Sequence, residues 1–341
     1  MNLFELTRAL VDIDSTTGQE KAVADYLYSY LSPLAAKHNG HLERQTAEPD
    51  RDNLLLCFGD PVVTFSTHLD TVPPFFPSRE DEAHIHGRGS CDAKGIVAAM
   101  IAAAENLVSS GKRNFGLLFV VGEERSSIGA KTAAAAPRGS RFLINGEPTE
   151  NQLALGSKGV LRYELIACGK LAHSAYPQLG HSAIHALLDA LHQIRAFPLP
   201  VDPILGPATL NVGTISGGRA PNVIADEAHA EIMYRLVTDP VTIRDEVARI
   251  AAAHKIEARE VLYHAAVHLS SFPGLPTTTV AFATDIPMFN GAWGKPYLIG
   301  PGSIHVAHTN EERIPKSELA AAVDIYAHMA RQLLTSGAAH A

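Results

Sequence analysis

Phe115-Gly116-Leu117-Leu118-Phe119-Val120-Val121-Gly122-Glu123-Glu124 is the stretch on which the reading of this chain turns. From Phe115 to Val121 no side chain is polar. A half-exposed strand would alternate, so the run predicts a strand buried on both faces, as in a parallel sheet. It stops at Gly122, and two adjacent carboxylates follow. The ends of such strands are where open α/β sheets bind ligands. Side-by-side carboxylates repel each other unless a proton or a cation compensates them. The plainer alternative is a solvated loop in which Arg125 pairs with one of them.

Outward from this strand the same architecture recurs. Arg141–Ile144 reads as a second buried strand. Asn53–Phe58 and Val62–Ser66 read as two strands joined by the turn Gly59-Asp60-Pro61. Leu3, Leu6, Leu10, Val11 and Ile13 recur at helical spacing, and a second helical pattern runs from Gln19 to Leu34. Gly95–Val108 is alanine-rich and apolar all round, which predicts a buried helix. Strands alternating with helices give an α/β core with a central, mostly parallel sheet.

Near Gly156 the pattern changes. Val160–Ala167, Ala208–Ile215, Ala228–Leu236 and Glu257–His264 alternate polar and apolar residues. Two helical segments, His181–Ala196 and Val241–His254, sit among them. This predicts an α+β unit, a four-stranded antiparallel sheet with two helices on one face. After about Ser271 the α/β character returns, with a strand at Tyr297–Ile299 and a closing helix at Ser317–Leu334. The economical division is a discontinuous larger domain, 1–158 and 271–341, with a domain 159–270 inserted into it.

Composition narrows the function classes. The chain has 341 residues, 46% hydrophobic and 19% charged, which suits a folded two-domain protein. A net charge of −8 without a basic run argues against nucleic acid as a partner. No apolar run reaches membrane-spanning length. Cys57, Cys91 and Cys168 show no paired spacing, so a disulfide framework is not expected and a reducing cytoplasm is. Met1–Glu5 lacks the basic start of a signal peptide. The 17 histidines raise the prospect of metal chemistry.

Five segments place acids or histidines beside glycine at element ends. They are Ser66–Pro73, with His68 and Asp70; Gly87–Gly95, with Asp92; Val121–Arg125; Asn145–Thr149, with Glu147; and Gly300–Glu312, with His305 and His308. Singly, each has an ordinary explanation: Asp92 would cap the following helix, and His68 would be a strand-end residue. Together they put imidazoles and carboxylates at successive strand ends of one sheet. Such donors suit zinc, with cobalt or manganese compatible. A carboxylate shared by two ions about 3.5–4 Å apart would leave another free as general base.

The order and text of these motifs resemble the di-zinc deacylase and peptidase family that contains acetylornithine deacetylase, succinyl-diaminopimelate desuccinylase, aminoacylase and glutamate carboxypeptidase. His68-Leu69-Asp70-Thr71-Val72-Pro73, Gly87-Arg88-Gly89 with Asp92 and Lys94-Gly95, Glu123-Glu124, Glu147-Pro148 and Ala307-His308 all fall in family order. The resemblance implies a zinc-peptidase-like catalytic domain and an inserted lid that also makes a homodimer. It implies two zinc ions: Asp92 bridging, His68 and Glu147 on one ion, Glu124 and His308 on the other. Glu123 would be the general base and Asp70 the residue that orients His68. A cis peptide bond is implied at Asp92–Ala93.

In the insert, Lys170–Pro177 resembles the segment whose histidine, here His173, supports the oxyanion from a second subunit. Asn222, Arg235 and Tyr176 match substrate-binding positions. The implied reaction is removal of an acyl group, acetyl first among them, from an N-acyl amino acid such as N-acetylornithine by metal-activated water. The alternatives are a dipeptidase or carboxypeptidase of the same family, or N-succinyl-diaminopimelate desuccinylase. Gly300–Ile304 and Thr284–Pro287 look closest to acetylornithine-type members. The substrate would be a small N-acyl amino acid or a dipeptide.

Overall fold

The computed structural model describes residues 1–338 and divides into two compact units. The first comprises Met1–Leu155, Leu269–Thr278 and the chain from Thr284 onward. The second comprises Gly156–His268 and Thr279–Ala283. Before the insertion the elements are α1 (Leu3–Val11), α2 (Lys21–His38), β1 (His41–Glu48), β2 (Arg51–Phe58), β3 (Val63–His68), β4 (Arg79–Glu80), β5 (His84–His86), α3 (Lys94–Ser109), β6 (Phe115–Val120), α4 (Ile128–Ala135), β7 (Phe142–Asn145) and β8 (Leu153–Ser157). The second unit holds β9 (Gly159–Cys168), α5 (Ala183–Ala196), β10 (Thr209–Gly217), β11 (Glu227–Leu236), α6 (Val241–His254) and β12 (Ile256–His264). The chain then returns through β13 (Lys295–Leu298), β14 (Arg313–Pro315) and α7 (Lys316–Ala338).

The sheet of the first unit runs β1-β2-β6-β3-β7-β13-β8. Its central pairings β6–β3, β3–β7 and β7–β13 are parallel. The flanking pairings β1–β2, β2–β6 and β13–β8 are antiparallel. The sheet is therefore mixed rather than mostly parallel. The link between β1 and β2 is too short for the crossover that parallel strands need, so that pair forms a hairpin. β2 and β3 do follow each other through a tight turn, but β6 lies between them. An all-apolar strand such as β6, buried at every position, belongs in a sheet interior.

The elements around the sheet follow their sequences. α1 opens on a capping box: Asn2 Oδ1 accepts the N–H groups of Phe4 and Glu5, and the Glu5 carboxylate accepts that of Asn2. α3 is buried along nearly its whole surface and packs between the sheet, α1 and α7. On the opposite face Leu55, Leu118 and Val120 meet Ala133, Phe289 and Trp293. The Trp293 indole donates to the Ala133 carbonyl at 2.9 Å.

The second unit is the expected antiparallel sheet, ordered β10-β11-β9-β12. Its core gathers Leu161, Leu165 and Ile232 of the strands with Leu187 and Ile194 of α5 and Ile250 of α6. Cys57, Cys91 and Cys168 are free thiols. No described helix is long and apolar enough to cross a membrane.

Candidate metal centre

The parallel strands bring their C-terminal ends to one edge. His68 of β3 lies opposite Val120 of β6, Ser66 opposite Asn145 of β7, and Asn145 opposite Leu298 of β13. Each strand end on that edge delivers part of the site: His68 and Asp70 after β3, Glu123 and Glu124 after β6, Glu147 after β7, His308 beyond β13. Asp92 enters from the loop that precedes α3. Gly122 permits the sharp exit from β6. Its φ is +78°, and a Cβ there would stand 2.7 Å from Arg51 Nη2.

Asp92 occupies the middle. Its Oδ1 lies 2.9 Å from His68 Nε2 and its Oδ2 lies 3.3 Å from His308 Nε2. His308 Nε2 is also 2.9 Å from Glu124 Oε1. One donor atom each from His68, Asp92 and Glu124 falls within 4.8 Å of the others. The His68 ring is set by the backbone: Nδ1–H donates to the Asp70 carbonyl at 3.0 Å, which turns Nε2 toward Asp92. The Asp70 carboxylate lies farther off, 3.6 Å from Nδ1. It accepts instead the N–H groups of Glu123 and Glu124, at 3.0 and 3.1 Å, and the Thr17 hydroxyl at 2.9 Å. Asp70 thus fastens the loop after β6 to the end of β3.

The electrostatics are those of a negative pocket short of cations. Burial pushes the Glu123 and Glu147 carboxyls well above their usual range, and their acidic neighbours add to it. Burial also raises Glu124, and raises Asp285 to about 7. Burial works against Asp92 too, but hydrogen bonds to His308 and His68 hold it below the ordinary value. His308 is raised to about 10 by Asp92 and Glu124. His68 stands well above its usual value, because Asp70 and Asp92 outweigh the effect of burial. Glu147 Oε1 is buried with no hydrogen-bond partner among the described residues. A divalent cation compensates such a cluster, and imidazole with carboxylate is a donor set that accepts one. His308 sits at φ +61°, a backbone cost of about 1–3 kcal/mol for a non-glycine residue. The peptide bond Asp92–Ala93 is cis.

The remaining candidates divide clearly. His305 is exposed. Cys91 turns its thiol to the Ser303 carbonyl, and burial raises its pKa well above normal. His173, Tyr176, Asn222 and Arg235 all belong to the second unit. The first three share one loop pair: His173 bridges to Val223, Ser174 N–H donates to the Asn222 carbonyl, and the His173 and Tyr176 rings stand 6.2 Å apart. Arg235 lies on β11, half-buried, with no hydrogen-bond or ion-pair partner among the described residues, and burial lowers its pKa.

Another group, Asp81, His84 and His86, also brings three donors together, but at the surface. Arg79 donates to His86 Nδ1 at 3.0 Å, so His86 Nε2 carries the proton it gives to Asp81. That arrangement is a hydrogen-bonded chain from Arg79 through His86 to Asp81. The sequence reading assigned no role to Asp285 or Glu312, both buried. The adjacency of Glu311 and Glu312 just after His308 was the available signal for the second.

The sequence profile of "Peptidase family M20/M25/M40" matches residues 64–332. A peptidase M20 domain-containing protein of Schizosaccharomyces pombe is 42% identical over 337 residues, covering 96% of this chain and 84% of that protein. A probable carboxypeptidase of Aspergillus terreus is 35% identical over 365 residues, covering 94% of this chain and 83% of that protein. Among solved structures, a tripeptidase from Staphylococcus aureus superposes with a TM-score of 0.81 at 21% identity, covering 96% of this chain and 98% of that one. With a profile match over most of its length, this chain belongs to peptidase family M20/M25/M40 and is a hydrolase of amide bonds from a metallopeptidase family.

Proposed function

We propose that the chain is a two-metal hydrolase of carboxypeptidase type. It cleaves the amide that joins a C-terminal amino acid, with its α-carboxylate free, to an acyl group. The observation that carries the two-metal reading is the split of Asp92: one carboxylate, with one oxygen toward His68 and the other toward His308. His68 and Glu147 would hold one ion, and Glu124 and His308 the other. Zinc fits the donors best, with cobalt or manganese compatible. A bound pair of such ions supplies Lewis acidity at the scissile carbonyl and a water acidic enough to lose its proton near neutral pH.

The chain's own residues do the rest. Glu123 has a raised proton affinity, suited to taking a proton and handing it to the leaving amine. Asp70 holds the Glu123 main chain and aims the His68 ring. His173, supplied by a second copy of the chain, donates to the oxyanion. Arg235, unpaired and half-buried, suits a substrate carboxylate, which it can bond bidentately. Tyr176 and Asn222 complete the substrate contacts. The names of the fungal relatives favour carboxypeptidase action over the acetylornithine-type activity that the motifs resemble. Removal of acetyl from an N-acetyl amino acid remains a second reading, favoured by Thr284-Asp285-Ile286-Pro287 and the turn Gly300–Ile304.

Dimerisation through the second unit is part of the proposal. β10 is an outer strand of its sheet, largely exposed, with Ile215 among the exposed apolar residues. A cytoplasmic location is likewise proposed; free thiols at Cys57, Cys91 and Cys168 support it.

Amine release from a panel tests the substrate class. The panel holds dipeptides, N-blocked dipeptides, their C-terminal amides, N-acetylornithine and N-succinyl-diaminopimelate. Turnover of peptides with a free carboxylate, and none of their amides, is the expected result. Turnover confined to N-acetylornithine selects the second reading. Equal turnover of acids and amides contradicts carboxylate recognition.

A further inference from the structure

Glu312 follows His308 on the same short segment and leads into β14. It is 1% exposed, and both of its oxygens are used. Oε1 accepts three main-chain N–H groups: Gly89 at 2.9 Å, Cys91 at 3.2 Å and Asp92 itself at 3.1 Å. Oε2 accepts from Arg88 Nη1. Arg88, also 1% exposed, donates through Nε to the Pro74 carbonyl at 3.2 Å and lies over the Phe76 ring. The Glu312 carbonyl accepts the Gly87 N–H at 3.1 Å. One residue therefore gathers the whole loop from Gly87 to Asp92.

Other bonds steady the ends of that loop: Arg88 N–H donates to the Phe76 carbonyl at 3.1 Å, Ser90 N–H to the Gly87 carbonyl at 3.0 Å and Lys94 N–H to the Gly89 carbonyl at 2.8 Å. The N-cap of α3 is Ala93, which offers no side-chain cap, and the N–H groups of Gly89, Cys91 and Asp92 just ahead of the helix find their acceptor in Glu312. Gly89 is bent to φ +84°, where a Cβ would meet Thr71 Cγ2 at 2.8 Å. Burial and the nearby Asp92 raise Glu312 to about 7 against the pull of Arg88 and the Asp92 N–H; as the carboxylate, bonded to several N–H groups, it makes one of the stronger hydrogen-bond arrangements.

We infer that Glu312, clamped by Arg88, is a positioning residue for Asp92: it fixes the main chain from which the carboxylate reaches His68 and His308 together. The inference rests on the metal reading above. Because His308 and Glu312 share one segment, a ligand of one ion and the brace of the shared carboxylate move together. Removing outer partners of metal ligands typically weakens metal binding by about 10–100-fold.

The test is zinc affinity by chelator competition, with folding checked by circular dichroism and the thermal stability of the stripped proteins measured separately. Glu312→Leu removes both the acceptor and the ion pair. Glu312→Gln keeps an oxygen for the three N–H groups but faces Arg88 with an amide. Leu27→Ala, in the buried face of α2, lowers stability without touching the loop. We expect zinc affinity to fall about 10–100-fold in Glu312→Leu, as for other outer partners. It should fall less in Glu312→Gln and not at all in Leu27→Ala. If Glu312→Leu does not fold, the comparison of Glu312→Gln with wild type decides.

Wild-type affinity in every folded Glu312 variant overturns the inference while leaving the metal reading intact. So does an equal loss in Leu27→Ala. A wild-type protein that takes up no zinc overturns the metal reading and the inference with it.

Discussion

Glu123→Gln is expected to keep its bound metal and to lose nearly all turnover. Glu123 is not among the proposed ligands, so its replacement by a neutral residue of the same shape removes only a proton acceptor. General acid–base catalysis by a positioned group is worth about 10²–10⁴-fold, and the fall in kcat should lie in that range. The side chain separates Glu123 from Glu124, because Asp70 fixes both main-chain N–H groups and burial raises both carboxyls. Glu124, its neighbour, already spends an oxygen on His308. The check is kcat alongside metal content per chain. A variant with intact metal and most of its activity contradicts the assignment of the base.

Asp92→Asn is expected to have the larger effect on metal. The amide offers one neutral oxygen where the carboxylate offers two charged ones, and both histidines lose their shared partner. Loss of the shared ligand should weaken binding by more than the roughly 10–100-fold that outer partners contribute. Thermal unfolding reads this directly. A ligand bound only by the folded state at 100 times its Kd adds about 2.7 kcal/mol to stability. Zinc should therefore raise the melting temperature of wild type and leave that of Asp92→Asn nearly unmoved. An equal rise in both would show that Asp92 is not a shared ligand.

Much of this was written in local pattern. The β6 run is apolar because it is buried at every position, and Val241–His254 ends as a helix where its periodicity ends. The residues around Asp92 were legible as an ordered set of motifs, although no single one of them specifies a site. Three features were not legible, each for a tertiary reason. β1, His-Leu-Glu-Arg-Gln-Thr-Ala-Glu, is an outer strand whose polar residues hide its strand character; pairing with β2 creates it. The placement of β6 between β2 and β3 is a choice of neighbours, which no alternation pattern encodes. Glu312 acts through main-chain N–H groups more than two hundred residues away in sequence, and backbone acceptors and donors leave no trace in residue identity. His68 shows the same limit. Its spacing from Asp70 suggested a carboxylate partner, whereas the Asp70 carbonyl is the closer one.

The most direct test of the account is a titration of chelator-stripped protein with zinc, followed by peptide hydrolysis at each point. The account predicts that activity reaches its plateau at two zinc ions per chain. Full activity in the stripped protein, or a plateau at one ion with no second ion bound, would contradict it.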